Sequence, residues 1–171
     1  MKKQILIFAI LLFSVALFAQ ETNEPIKKAS NHAVGIAAGP TIGCGLAYQY
    51  THSKFSVQAT FFPYKKIKKE MYCIGLSFYY TLNQGKKTSL FLYQGNHYYY
   101  SKTEWQVWYN RENHRTVEAY NNNSLGIGFD FTIFDNVSLK LMTGYASYNN
   151  FTELGLTGEV SLLYHIPSKS K

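Results

Sequence analysis

Eight period-two segments, few charged side chains, and connections that alternate between short and long predict an all-β chain. The expected fold is an eight-stranded antiparallel up-and-down transmembrane β-barrel. Charged residues make up 16% of the 171 positions, against roughly 25% in ordinary soluble domains. Tyr and Phe, by contrast, number 15 and 12. Beyond residue 18 no apolar run is long enough for a spanning helix, which excludes a helical membrane protein.

The N-terminus accounts for export. "MKKQILIFAILLFSVALFAQ" has a basic start at Lys2 and Lys3, an apolar run from Ile5 to Phe18, and the small residue Ala19. This is the layout of a secretory signal peptide over residues 1–19, with a run short for a membrane span. Its removal takes away two lysines and no acids, so the net charge of +7 falls to +5. A polar leader follows over 20–31, then the barrel domain over 32–166 and a basic tail over 167–171.

The segments lie near 32–39, 42–51, 54–62, 71–82, 88–100, 122–133, 137–148 and 151–166. In the second, Ile42, Cys44, Leu46, Tyr48 and Tyr50 share a face opposite Gly43, Gly45, Ala47 and Gln49. In the last, Leu154, Leu156, Val160, Leu162, Tyr164 and Ile166 oppose Gly155, Thr157, Glu159, Ser161 and His165. The fifth, "TSLFLYQGNHYYY", does not keep one phase, which suggests a bulge near Gly95. Connections at 51–54, 83–87 and 134–136 are short. Those at 62–70 and 101–121 are long, while Gly39-Pro40 and Asn149-Asn150 read as tight turns.

Alternation alone also fits a soluble barrel that binds an apolar ligand inside. The polar face decides between the two. Eight strands exposed to water would carry many Lys and Glu, whereas here the face is mainly Gly, Ala, Ser, Thr and Gln, which a narrow lumen accepts. The Leu, Ile, Val, Phe and Tyr face then meets lipid, and backbone pairing in a bilayer requires the sheet to close.

The signal peptide, strands such as "NSLGIGFDFTIF" and "ELGLTGEVSLLYHI", and the turn–loop asymmetry resemble the small eight-stranded outer-membrane barrels of the OmpX and OmpA transmembrane-domain type. The likeness runs from about His32 to Ile166. It implies outer-membrane localisation in a Gram-negative cell, with the longer loops outside. Many such barrels end on an aromatic residue. Here "LLYHI" is followed by "PSKSK", so Tyr164 or Ile166 stands in that place.

Three groups are candidate sites. First, with Phe129 and Leu141 facing lipid, Asp130 and Lys140 face the lumen. A three-residue loop at 134–136, with Asn136 left-handed, places Asp130 opposite Lys140. A two-residue Asn149-Asn150 turn pairs Tyr148 with Phe151 and sets Lys140 opposite Glu159. The expected result is an interior row of Asp130, Lys140 and Glu159, read as a structural plug because buried ions must be paired, rather than as an ion path. Second, Lys65, Lys66, Lys68 and Lys69 on an outer loop suit outer-membrane lipid, in particular a phosphorylated glycolipid. Third, loop 101–121 carries Trp105, Trp108, Tyr109, Arg111 and Arg115, a candidate surface for a protein partner. The simpler reading of its aromatics is an interfacial belt.

Other chemistry has little support. The five histidines are scattered, with no metal-ligand spacing, and no cofactor is expected. Cys44 and Cys73 fall on opposite faces and are not expected to pair, although export leads to an oxidising compartment. His97, Ser101 and Glu104 are the residues a lipid-A-modifying enzyme would draw on, but they match no motif, so the chain is read as a non-enzyme. Nucleic-acid binding has no support. The Asn-x-Ser/Thr triplets at Asn122, Asn136 and Asn150 read as turn residues. The expected role is a monomeric structural or surface-interaction barrel with a lumen filled by side chains.

Overall fold

A computed structural model describes residues 31–106 and 113–167. Eight strands run in chain order: β1 (His32–Ala38), β2 (Gly45–His52), β3 (Phe55–Lys66), β4 (Lys69–Gln84), β5 (Thr88–Gln106), β6 (Asn113–Phe134), β7 (Val137–Tyr148) and β8 (Glu153–His165). Each pairs antiparallel with its neighbour, and β1 pairs with β8 to close the barrel. Closure removes the free edge from the barrel wall, while 113–122 of β6 pair only with β5. The signal-peptide region, most of the polar leader and most of the tail lie outside the described residues.

Side-chain size and polarity separate the two faces over most of the wall, with Tyr79, Phe91, Tyr93 and Leu163 as large inward exceptions. Inward positions carry Ala33, Ala37, Ala47, Gln49, Ser56, Gln58, Thr60, Ser77, Thr157 and Ser161, all buried. Outward positions carry Val34, Ile36, Leu46, Val57, Phe61, Ile74, Leu76, Phe78, Leu125, Ile127, Leu141, Leu156, Val160 and Leu162, all exposed. An apolar exterior around a largely polar interior is the polarity that lipid requires and water penalises. The wall is uneven. β1 and β2 have 7 and 8 residues, whereas β5 and β6 have 19 and 22. Beyond the Asn96–Asn123 pair the outer face of β5 and β6 mixes Tyr98, Tyr100, Ala119 and Val117 with Asn121, Lys102, Glu104 and Arg115. This hairpin extends past its neighbour, because β7 pairs with β6 only from Asn123 onward.

Four local expectations change. β5 keeps a single phase and has no bulge at Gly95, which pairs regularly with Ser77 and Ser124. Its phase is obscured in the sequence because Phe91 and Tyr93 point inward, both at 3% exposure or less. The irregularity lies instead on β4, between Thr81 and Asn83. At the β6–β7 turn the extra residue is absorbed on β6 between Thr132 and Phe134, and Phe134 pairs with Val137. Asn136 is not among the positive-φ residues. At the β7–β8 turn Tyr148 pairs with Glu153, so four residues make the connection where two were expected. Asn149, Asn150 and Phe151 adopt φ of 50°, 58° and 71°, and the Thr152 N–H closes the turn on the Tyr148 carbonyl at 3.1 Å. Asn tolerates that region well and a bulky Phe poorly.

The fourth change concerns the start of the second segment. Ile42 does not face outward as the first residue of a strand. It is fully buried, and β2 begins only at Gly45.

Candidate functional site

The lumen is built around the charges of β6, β7 and β8. Asp130 lies directly opposite Lys140. Lys140 is 2% exposed. Its ammonium donates to Gln49 Oε1 at 2.5 Å and sits 4.1 Å from the Tyr79 ring centroid and 5.3 Å from that of Phe91. A desolvated ammonium over ring faces is a favourable cation–π arrangement. The ion pairs among the described residues are Lys65–Glu70 and Lys102–Glu104, so Lys140 makes no carboxylate contact within ion-pair distance.

The expected three-member row is corrected here. Lys140 opposes Ser161, and Glu159 opposes Met142. Two extra turn residues move Glu159 one step toward the outer mouth, and because the slip is by two, the side chain still points inward. Glu159 is 5% exposed and binds hydroxyls instead of an ammonium. The Thr41 hydroxyl donates to its carboxylate, and the Thr157 hydroxyl donates to Oε1 at 3.1 Å.

Thr41 belongs to a feature that the sequence reading missed. The β1–β2 connection, 39–44, folds into the outer mouth of the barrel as a plug. Thr41 and Ile42 are both fully buried. The Gly39 N–H closes the loop on the Gly43 carbonyl at 3.1 Å. The Pro40 carbonyl accepts from His97 Nδ1 and from Asn122 Nδ2, each at 2.9 Å, and Thr41 Oγ1 lies 2.5 Å from Ser124 Oγ. Room for the loop comes from glycines in the wall. A Cβ on Gly75 would lie 1.8 Å from the Ile42 carbonyl oxygen, and one on Gly95 would lie 2.8 Å from that of Thr41. Gly43 and Gly45, at φ of 79° and 125°, reverse the chain on its way out. The available signal was Gly39-Pro40 followed by Gly43 and Gly45, three glycines and a proline within seven residues. A continuous even-numbered apolar phase into β2 masked it.

At the outer rim the β3–β4 hairpin carries the predicted lysines. Lys65 pairs across the ladder with Glu70 and Lys66 with Lys69, while Ile67 at the tip is fully exposed. The Glu104 N–H donates to the Lys68 carbonyl at 2.8 Å, which brings β5 alongside. The result is a cleft of about 150 Å³ lined by Lys65, Lys66, Lys68, Lys69 and Lys102, with Glu70 and Glu104. Lys102 is an addition that neighbouring register, not sequence proximity, supplies. Lys65 binds Glu70 at 3.5 Å and Lys102 binds Glu104 at 2.6 Å, while Lys66, Lys68 and Lys69 make no ion pair among the described residues. A hydrogen bond from Tyr72, with help from Lys65 and Lys102, holds the Glu70 carboxyl below its ordinary value. Lys102 does the same for Glu104.

The fold is that of the small outer-membrane barrels. The N-terminal β-barrel domain of Pseudomonas aeruginosa OprF superposes with a TM-score of 0.52 at 8% identity, over 79% of this chain and 97% of that domain. Neisserial surface protein A gives 0.40 at 15% identity, over 77% and 90%. The attachment invasion locus protein Ail of Yersinia pestis gives 0.42 at 12%, over the same shares. No family model matches the chain, and no curated protein matches its sequence.

The remaining candidates are only partly brought together. In the long hairpin, Arg115 is exposed and pairs in register with Glu104. Trp108, Tyr109 and Arg111 lie outside the described residues, as does the side chain of Trp105. His97 and Ser101 are buried on the inner face of β5, with His97 held by the Pro40 carbonyl. Glu104 lies on the outer face with Lys102, so the three do not converge.

Proposed function

We propose that the chain is an exported, monomeric outer-membrane barrel with a plugged lumen, whose outer hairpins contact the cell surface and first of all phosphorylated glycolipid headgroups. The observation that carries this reading is the five-lysine cleft at the rim of an apolar barrel wall. Three of its ammonium groups have no ion-pair partner among the described residues. Ammonium groups clustered beside a bilayer attract anionic headgroups, at about 1 kcal/mol per residue.

A non-catalytic role fits His97, whose Nδ1 is committed to the plug, and the opposite facing of Ser101 and Glu104. An apolar ligand inside a soluble barrel fits poorly, because the polar face lines the interior. The long hairpin adds a second surface for a protein partner, through the aromatics and arginines of 101–121.

The test is a titration of the purified barrel with phosphorylated glycolipid in mixed micelles. Gln at Lys65, Lys66, Lys68, Lys69 and Lys102 together is expected to weaken binding by about tenfold or more. Gln at Glu70 and Glu104 is expected to strengthen it, because both carboxyls are held ionised inside the cleft. Equal binding of a dephosphorylated glycolipid would overturn the headgroup assignment.

A further inference from the structure

The plug loop leaves the lumen beside β4, and there it brings the chain's two cysteines together. Cys44 is exposed and Cys73 is buried, as their faces required. The separation expected from those faces is absent, because the backbone of the loop runs against the wall. Two neighbours bracket the approach. A Cβ on Gly43 would lie 3.2 Å from the Gly75 nitrogen, and one on Gly45 would lie 2.6 Å from the Phe62 Cβ. Phe62 is the direct cross-strand partner of Cys73, and Gly75 is two residues from it on the same face. Cys44 lies between Gly43 and Gly45, so these two approaches set it beside Cys73, and both thiols are free. Tyr99, the β5 partner of Cys73, stacks on Tyr120 at 4.8 Å.

We propose that Cys44 and Cys73 form a redox latch, a disulfide that ties the inward-folded loop 39–44 to β4. The oxidant is a thiol–disulfide oxidoreductase or a small-molecule disulfide. The exposed Cys44 thiolate attacks one sulfur of the oxidant's disulfide, giving a mixed disulfide and releasing one oxidant thiolate. The Cys73 thiolate then attacks the Cys44 sulfur. The Cys44–Cys73 bond forms, the second oxidant sulfur leaves as a thiolate, and the oxidant takes up two electrons and two protons. Exposure of one thiol and burial of its partner suits this order, with Cys44 as the entry point and Cys73 resolving. The chemistry depends on the folded chain alone. That a cell supplies the oxidant rests on the exported location proposed above.

The experiment uses the full barrel in detergent, with heat-modifiable migration confirming the fold of every variant. Oxidised glutathione is added, aliquots are quenched with a polymer-tagged maleimide, and free thiols are counted. Both thiols are expected to disappear together into a monomer lighter by two hydrogens, and to return with reductant. Closure is expected to be faster than in the urea-denatured chain by roughly tenfold or more, because the fold pre-positions the pair. C73S is expected to stop at a stable glutathione adduct on Cys44. Equal rates in folded and denatured chains would overturn the proposal. So would a stable adduct on Cys44 in the unmodified protein, or a Cys44-linked dimer.

Discussion

Replacing Gly75 with alanine is expected to expel the first outer loop from the barrel mouth and cost several kcal/mol of stability. The added Cβ would lie 1.8 Å from the Ile42 carbonyl oxygen and 2.6 Å from its carbon. Both are backbone atoms, so no side-chain rotation relieves the overlap. If the loop leaves, Ile42 loses complete burial, worth about 1.5–3 kcal/mol. The Pro40 carbonyl also loses its two donors and Glu159 loses Thr41, each net bond being worth about 1 kcal/mol. Equilibrium unfolding in urea, with the barrel held in detergent or vesicles, should show a lower midpoint by an amount matching about 3 kcal/mol or more. Gly158 is the control. A Cβ there meets nothing within 4 Å, so Gly158→Ala should leave stability unchanged or raise it by about 0.5 kcal/mol. Equal effects at the two glycines would contradict the plug.

Lys140 provides the second large effect. Truncation to alanine removes a buried stem and an ammonium held by Gln49 and the Tyr79 ring, and should cost about 3 kcal/mol. Lys140→Met retains the stem and should cost less. Double-mutant cycles then apportion the difference. Coupling of Lys140→Met to Gln49→Leu or Tyr79→Leu is expected at about 1–2 kcal/mol. Coupling to Glu159→Gln is expected within about 0.5 kcal/mol, because Glu159 is paired with hydroxyls and opposes Met142. A large Glu159 term would restore the three-charge row that the observed register removes.

The contrast between these charges shows what a single sequence carries. Period-two alternation makes each face legible, because moving a strand by one residue would turn its whole apolar set from lipid into the lumen. That is why Asp130, Lys140 and Glu159 could all be assigned inward. A slip of two keeps every residue on its face, so hydrophobic pattern is silent about it, and turn length alone decides. Asn149-Asn150 looks complete as a two-residue turn, yet Phe151 also enters the left-handed region. The plug was hidden for a related reason. Ile42, Cys44 and Leu46 extend the apolar phase of β2, and only the backbone reversal at Gly43 and Gly45 separates them. Lys102 joined the lysine cleft through strand pairing with β4, a relation across more than thirty positions in sequence.

The central claim is that the apolar face meets lipid and the small polar face lines the lumen. Leu156 and Thr157 test it most directly, being adjacent on β8 with 73% and 4% exposure. Nitroxide labels are attached singly at each, in a chain with both native cysteines replaced by serine, and the barrel is reconstituted in vesicles. Relaxation by oxygen, which partitions into lipid, and by a water-soluble nickel chelate is then compared. A label at 156 relaxed strongly by oxygen and weakly by the chelate, with a label at 157 shielded from oxygen, is the result expected. Strong chelate access at 156 together with an oxygen-rich environment at 157 would contradict it, and would describe a water-soluble barrel with an apolar interior.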